Sequence, residues 1–352
     1  MMATMEPWMH VRTSKYGLRG VTLRVLTVIW LSLLCSAVTA QEESGRQFVS
    51  VQLENDSFNN NRDEHYTHGI EVSLLRITTP PAWLEGMAEW MPFRKGAGNP
   101  KMVNYSIGQK IFTPSDKKAT SVVVDDRPYA GYLYASAALP SLIVHTDSYD
   151  YGNLFELTLG IVGPSAMAER TQNSIHDILG NGHAQGWEHQ LHDELTLGLT
   201  YSHIWRMVWS APAGLEYGMN QHLTLSLGNV QTYGGAGVLF RLGDNLRRDL
   251  NPPNIRPGFP GVPYFISQAG VDWYLFGGYE VRWVGRDIFL DGNSYGTSQS
   301  VSKELVVGDM QYGIVFLHRD LRLAISNMKR TKEFTTQQED SRYMAINLSL
   351  RY

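Results

Sequence analysis

The chain ends on "YMAINLSLRY", and this stretch repeats every two residues. Met344, Ile346, Leu348, Leu350 and Tyr352 share one face, and Ala345, Asn347, Ser349 and Arg351 the other. A helix would scatter these residues around its axis, so the pattern reads as a strand with one apolar and one polar side. The pattern recurs upstream. In "FVSVQLEN", Val49, Val51 and Leu53 lie together; in "GIEVSLLRI", Ile70, Val72 and Leu74 stand opposite Glu71 and Ser73. About twelve segments read this way: 48–54, 67–77, 102–112, 130–144, 150–162, 193–208, 216–228, 232–242, 269–285, 303–318, 320–334 and 342–352. Several exceed the usual strand length of five or six residues. They reach the nine to eleven residues that cross a bilayer when tilted.

Aromatics gather near segment ends: Tyr132 and Tyr134, Tyr149 and Tyr151, Trp205 and Trp209, Trp273 and Tyr274, Trp283, Tyr343 and Tyr352. Interfacial girdles of a membrane barrel have this distribution. No stretch after residue 41 has an apolar run of membrane-helix length. With 43% hydrophobic residues in a chain of 352, there is enough apolar surface for one large barrel. The fold expected is all-β: an antiparallel transmembrane β-barrel of about 12 strands. A soluble secreted β-sandwich or barrel is the alternative, because alternation alone does not distinguish lipid from a protein core.

The first forty residues differ from the rest. Arg12, Lys15, Arg19 and Arg24 precede an apolar run from Val25 to Leu34, and "SAVTA" follows before Gln41. This order is that of a cleaved secretory signal peptide, so residues 1–40 are expected to be removed and 41–352 to form the barrel. Cys35, the only cysteine, would leave with the leader, excluding a thiol nucleophile and a disulfide framework. Leu34 stands where a lipoprotein signal needs a small residue. The whole chain carries a formal net charge of −4. Losing four basic residues and one acid makes the remainder more negative, and nothing points to nucleic acid.

Two segments break the β pattern. "PAWLEGMAEWMPF" (Pro81 to Phe93) places Trp83, Met87, Trp90 and Met91 at helical spacing, which suits a lid, an interfacial anchor or simple packing. A larger insert, about 165–193, has Ile175, Ile178 and Leu179 at i, i+3 and i+4 and a stop at Gly180. The Pro- and Gly-rich run from Pro252 to Phe265 is expected to be an exposed loop at the extracellular end.

The chemistry-bearing residues cluster elsewhere. "LENDSFNNNRDEHYTHG" is a polar run whose shoulders carry Asn55, Asp56, Tyr66, Thr67 and His68. It is a loop by composition, yet its two ends meet adjacent strands. His176 lies on the helical insert, where it suits a surface residue, a helix C-terminal cation or a general base. "DDRPYAGYLY" brings Asp125, Asp126 and Arg127 to the start of a strand, and "IFTPSDKK" ends the preceding strand in a turn with Lys117 and Lys118. Arg127 suits either a phosphate contact or a structural salt bridge. No G-x-S-x-G, H-E-x-x-H or EF-hand loop is present.

Taken in order, "ENDSF", "HYTHG", "RPYAG", "TQNSIHDILG" and "GWEHQL" resemble the lipid A 3′-O-deacylase family of Gram-negative outer membranes, over roughly residues 47 to 352. The resemblance implies a twelve-stranded barrel with its site at the outer-leaflet end. It also implies Ca²⁺-dependent hydrolysis of the 3′-linked acyloxyacyl chain of lipid A, in lipopolysaccharide, by a monomeric enzyme. Carried over by position, it implies the family's Asn-Asp pair at Asn55 and Asp56, its active-site hydroxyl at Thr67 and its general base at His176; Asp56 would orient the imidazole or bind the metal, with Asn55 beside it as a catalytic residue and metal ligand. Lys118 or Lys117 would be the active-site lysine, with Lys117 and Arg127 toward the substrate. One departure stands out. A family member has a functional glutamate six positions after the histidine; here that position is Gly182, leaving Asp126, Asp177 or Glu188 to supply an acid. Another outer-membrane lipid hydrolase acting on phospholipids, or a passive channel, are the competing readings.

Overall fold

The computed structural model describes residues 47–56, 65–90, 101–144, 149–179, 182–249 and 262–352; the expected signal peptide lies outside them. These residues form twelve strands: β1 Gln47–Asn55, β2 His65–Ile77, β3 Met102–Thr113, β4 Ala130–Val144, β5 Tyr149–Val162, β6 Glu194–Ser210, β7 Glu216–Gly228, β8 Gln231–Gly243, β9 Val271–Asp287, β10 Val306–His318, β11 Leu321–Arg330 and β12 Ser341–Arg351. Each pairs antiparallel with its sequence neighbours, and β1 closes on β12. At the seam, Gln47 and Tyr352 exchange backbone hydrogen bonds of 3.1 and 3.0 Å. Closure leaves no open sheet edge, a condition for crossing hydrocarbon with strands. The eleventh segment is shorter than its sequence pattern: the strand stops at Arg330, and Phe334 turns away into an isolated bridge with Lys303.

The faces are inverted relative to a soluble protein. On β7, His222, Thr224 and Ser226 are buried while Leu223, Leu225 and Leu227 are exposed. Asn347 and Ser349 point inward on β12, with Leu348 and Leu350 outward. Apolar side chains out and polar side chains in is the arrangement that lipid demands, and it rules out the soluble sandwich.

A barrel of twelve strands is wider than one that side chains alone fill. Here both ends are packed. At the end where β1 begins and β12 finishes (the terminal end), the β8–β9 connection folds inward. Leu246, Val262 and Phe265 join Phe48, Leu75, Tyr274 and Leu317 in one apolar cluster. The sequence expectation of an exposed outer loop is therefore corrected for these flanks; residues 250–261 are outside the described ones. Asp249 is the hub of this plug. Its carboxylate accepts from Arg322 Nε and Tyr274 Oη, both at 2.6 Å, and its carbonyl from Arg206 and Arg241, both at 3.2 Å. Toward the opposite end, Arg282 and Arg330 pair with Asp309 at 2.8 and 2.6 Å.

Among the described residues, three α-helices complete the fold: α1 Ala82–Ala88, α2 Ala168–Leu179 and α3 Ile288–Asp291. The α2 range matches the insert expected from sequence. At the opposite end, which carries the candidate site, Phe289 of α3 stacks on Phe112 at 4.0 Å, inside a cluster with Tyr66, Tyr132, Tyr134 and Tyr343. The lumen is thus a packed polar core between two apolar caps, unlike a passive channel.

Asp249→Ala should leave Arg322 without its buried carboxylate and cost roughly 3–5 kcal/mol. Leu225→Ala, on the lipid face, should cost far less. Denaturant titration of the barrel reconstituted in vesicles reads both.

Candidate active site

The two shoulders of the polar run meet because β1 and β2 are a hairpin: Asn55 is the Cα partner of His68. Asn55 keeps the outward register of Val51 and Leu53, whereas Asp56, one residue on, is buried. Opposite them β2 carries a bulge. Tyr66 faces Phe112 and His68 faces Ile111, so Thr67 is the extra residue. A bulge turns successive side chains off the strict alternation. Tyr66 points into the lumen, where its hydroxyl donates to the Glu54 carboxylate and its ring lies 5.4 Å from Phe112 and 5.0 Å from Tyr343. Thr67 is released to the outer side, its Oγ1 2.8 Å from that of Thr113. Gly69 permits this: a Cβ there would strike the Tyr66 hydroxyl and lie 2.9 Å from Glu54 Oε2.

Gln109, Ile111 and Thr113 alternate along the outer face of β3, and the α2 insert covers that face. Gln109 Nε2 donates to the Ala166 carbonyl at 2.6 Å. Ile111 packs with Ala168, Ala184, Trp187 and Tyr129. Gly131 of β4 is required here, since a Cβ would sit 2.5 Å from that of Ala168. The far side of the insert is latched by Trp187, whose Nε1 donates to Gln172 Oε1 at 2.8 Å and whose ring is 5.0 Å from Tyr129.

His176 sits buried on α2 with Nδ1 2.7 Å from the Gly182 carbonyl oxygen. A carbonyl only accepts, so Nδ1 carries the proton, and in the neutral ring Nε2 presents a lone pair. The orienting partner of the imidazole is therefore a backbone carbonyl from the residue that departs from the family pattern. A Cβ at Gly182 would meet nothing within 4 Å, so sterics do not explain the glycine. Of the three substitute acids, Asp177 and Glu188 are exposed and pair with His183 at 2.9 Å and His189 at 3.4 Å. Asp126 accepts from Ser115 N and Oγ at 2.8 and 2.5 Å, which fixes the turn after β3.

That turn presents the lysines. Lys117 is half-buried, its carbonyl accepting from Gln185 N at 2.8 Å and Tyr129 Oη at 3.4 Å. Lys118 is exposed. The backbone of Lys117 is thus tied to the insert that carries His176. Arg127 takes the structural alternative: it is 1% exposed, paired with Glu333 at 3.0 Å and set between the rings of Phe112 and Phe334 at 5.4 and 5.8 Å. The guanidinium thus lies inside the barrel mouth, as in the salt-bridge reading of the two.

Among the described residues, no three His, Cys, Asp or Glu side chains converge as a metal cluster. The oxygen donors at the shoulders (Asn55, Asp56 and Thr67) suit a hard cation such as Ca²⁺, with amide, carbonyl and water oxygens completing the shell. One carboxylate in such a set makes for weak binding.

Sequence reading missed the inner buttress. Glu54, Glu71, Lys110 and Glu156 are buried in the lumen, with Tyr134 Oη donating to Glu71 at 2.6 Å. Glu54 and Tyr66 lay inside the quoted motifs, but only the bulge gives them a task.

A family model described as "Outer membrane protein LpxR" matches residues 26–352. Among solved structures, LpxR from Salmonella typhimurium is similar with a TM-score of 0.70 at 19% identity, covering 86% of this chain and 99% of that one. The β domain of the Bordetella autotransporter BrkA reaches a TM-score of 0.45 at 11% identity, covering 88% and 99%. The NalP translocator domain from Neisseria meningitidis reaches 0.36 at 9%, covering 96% and 98%. No curated protein sequence matches.

Gly69→Ala should drive Tyr66 off Glu54 and destabilise the barrel by roughly 1–3 kcal/mol, the cost of overpacking. Gly182→Ala, with open space around it, should be near neutral. Unfolding midpoints of the two variants check the contrast.

Proposed function

The chain belongs to the LpxR family of outer membrane proteins, and on that premise we propose that it is a Gram-negative outer-membrane lipid A deacylase. The reaction is hydrolysis of the ester at the 3′-linked acyloxyacyl chain, carried out by a monomer exported through its N-terminal leader. One observation supports a lipid substrate above all: the bulge turns Thr67 out of the lumen toward the outer wall, and α2 with His176 packs on that same wall. An amphiphile held in the leaflet reaches this wall from the side, whereas a channel substrate would meet lumenal groups. Both ends of the lumen are packed with apolar clusters, which counts against the channel reading.

His176 acts as general base. With Nδ1 held by Gly182, Nε2 takes a proton from the water that attacks the ester carbonyl. The carbonyl oxygen gains negative charge as the tetrahedral centre forms, and the ammonium of Lys117 or Lys118 offsets it. The centre then collapses with cleavage of the bond between the acyl carbon and the sugar 3′ oxygen, which takes the proton back from Nε2 and leaves as the hydroxyl, releasing the acid. The half-buried Lys117 is the stronger candidate, since its backbone is fixed to the same insert as His176. Thr67, held by Thr113, orients the attacking water or the ester oxygen. Asn55 and Asp56 would hold Ca²⁺, which when bound polarises the carbonyl as a Lewis acid. Proton abstraction and positioning remain the work of the side chains. The Gly182 carbonyl orients the imidazole, and Asp56 is assigned to the cation beside Asn55.

His176→Ala should lower turnover by roughly 10²–10⁴-fold, the usual contribution of a positioned base, with the barrel intact. His183→Ala should be mild, because His183 is exposed and pairs with Asp177. Mass spectrometry of lipid A from cells expressing each variant reads the loss of the 3′ chain. Phospholipid deacylation without change in lipid A would transfer the assignment to a phospholipase. Ester hydrolysis should also stop in excess chelator and return with Ca²⁺; undiminished activity would remove the metal.

A further inference from the structure

The short helix α1 lies at the other end of the molecule, on the outer wall. Leu84 and Ala88 pack against Val103, Leu139 and Phe155, with Ala137 and Leu199 alongside. Val103 shares the face of β3 that exposes Tyr105 and Ile107, and Phe155 that of β5 exposing Leu159. The helix therefore covers part of the lipid-facing surface. It crosses the strands: Val103 precedes Asn104, the partner of Ala138, and Leu139 is in register with Phe155.

The remaining faces of the helix are chemically opposed. At 3.6 residues per turn, Trp83 and Met87 fall to one side of the Leu84–Ala88 contact and Glu85 to the other; Trp90, in the turn that follows, and Glu89, the C-cap with αR backbone, continue these two sides in that order. Trp83 is 53% exposed and Trp90 89%. Such exposure of two indoles is costly in water and normal at a headgroup boundary. The acidic side has a definite direction. Glu85 pairs with Lys101 at 3.3 Å, and Lys101 immediately precedes β3 at the terminal end. The acids thus face outward along the barrel axis, and the tryptophans face the apolar band. On neighbouring strands the same level carries Tyr149, Tyr151 and Trp205, with Trp205 beside His203 at 4.4 Å.

We propose that α1 is an interfacial anchor: Trp83 and Trp90 seat in the headgroup–acyl boundary of the leaflet at the terminal end, while Glu85 and Glu89 stay in water. Its partner is a phospholipid surface. The indoles extend the lipid-facing band of the barrel and fix its depth and tilt on the side where α2 stands at the opposite end. This rests on the membrane barrel alone and is independent of the hydrolase reading.

The test uses the full chain in vesicles of phosphatidylethanolamine and phosphatidylglycerol, in a Cys35→Ser background. Nitroxide labels at Trp90→Cys and Glu89→Cys are compared for collision with oxygen, which concentrates in lipid, and with a water-soluble nickel chelate. Position 90 should favour oxygen severalfold more than position 89. Equal, nickel-dominated collision at both overturns the proposal. Should the cysteine variants not fold, quenching of native tryptophan fluorescence by brominated lipid decides. Trp83→Phe/Trp90→Phe should lose a clear part of the quenching; an unchanged quenched fraction overturns the anchor.

Discussion

Closure of β1 on both β2 and β12 is the constraint on which everything else depends. In hydrocarbon every backbone amide needs a partner within the protein, and only a closed sheet supplies one for each strand. Once closed, strict alternation assigns each residue to lipid or lumen. The lumen then receives what lipid refuses: Asp249 among its arginines, Asp309 between Arg282 and Arg330, and the acids around Lys110. Asp249 and Asp309 are tolerable there because each accepts hydrogen bonds from arginines, and Glu54 and Glu71 accept from the hydroxyls of Tyr66 and Tyr134.

The same regularity poses a problem for chemistry. A perfectly alternating wall offers lipid nothing but apolar side chains. The bulge at Thr67 is the local solution. It sends Tyr66 inward to Glu54 and turns Thr67 outward, so that polar groups appear on the outer surface without breaking the ladder on either side. The α2 insert then covers this patch and adds His176, oriented by the Gly182 carbonyl. Polarity on a lipid face is sustainable only where protein shields it, so the helix and the bulge depend on each other. Through Glu54 and Tyr66 the lumenal core supports the candidate site from behind.

Most of the architecture was legible in the sequence, because period-two alternation is a direct record of the two-sided environment. Strand limits came within about three residues except at β11, where Phe334 continued the pattern but left the sheet to cover Arg127. The site residues were readable only by resemblance; alternation carries no sign of a bulge, and Thr67 would have been placed inside. Arg127 was ambiguous because the partner that settles it, Glu333, is 206 residues away in sequence. The plug was misread for a similar reason. Pro and Gly mark a loop, but whether it projects outward or folds into the lumen depends on Asp249 finding Arg322, Arg206 and Arg241 on three other strands.

The central claim is that the substrate is met on the outer wall, under α2, and not in the lumen. Photolabelling with a lipid A analogue carrying a diazirine in its 3′ acyl chain, followed by peptide mapping, tests it most directly. The account predicts adducts on α2 and on the outward residues of β2 and β3 around Thr67, Ile111 and Thr113. Adducts on the lumenal Glu71, Tyr134 or Glu156, with the outer wall unlabelled, would contradict it.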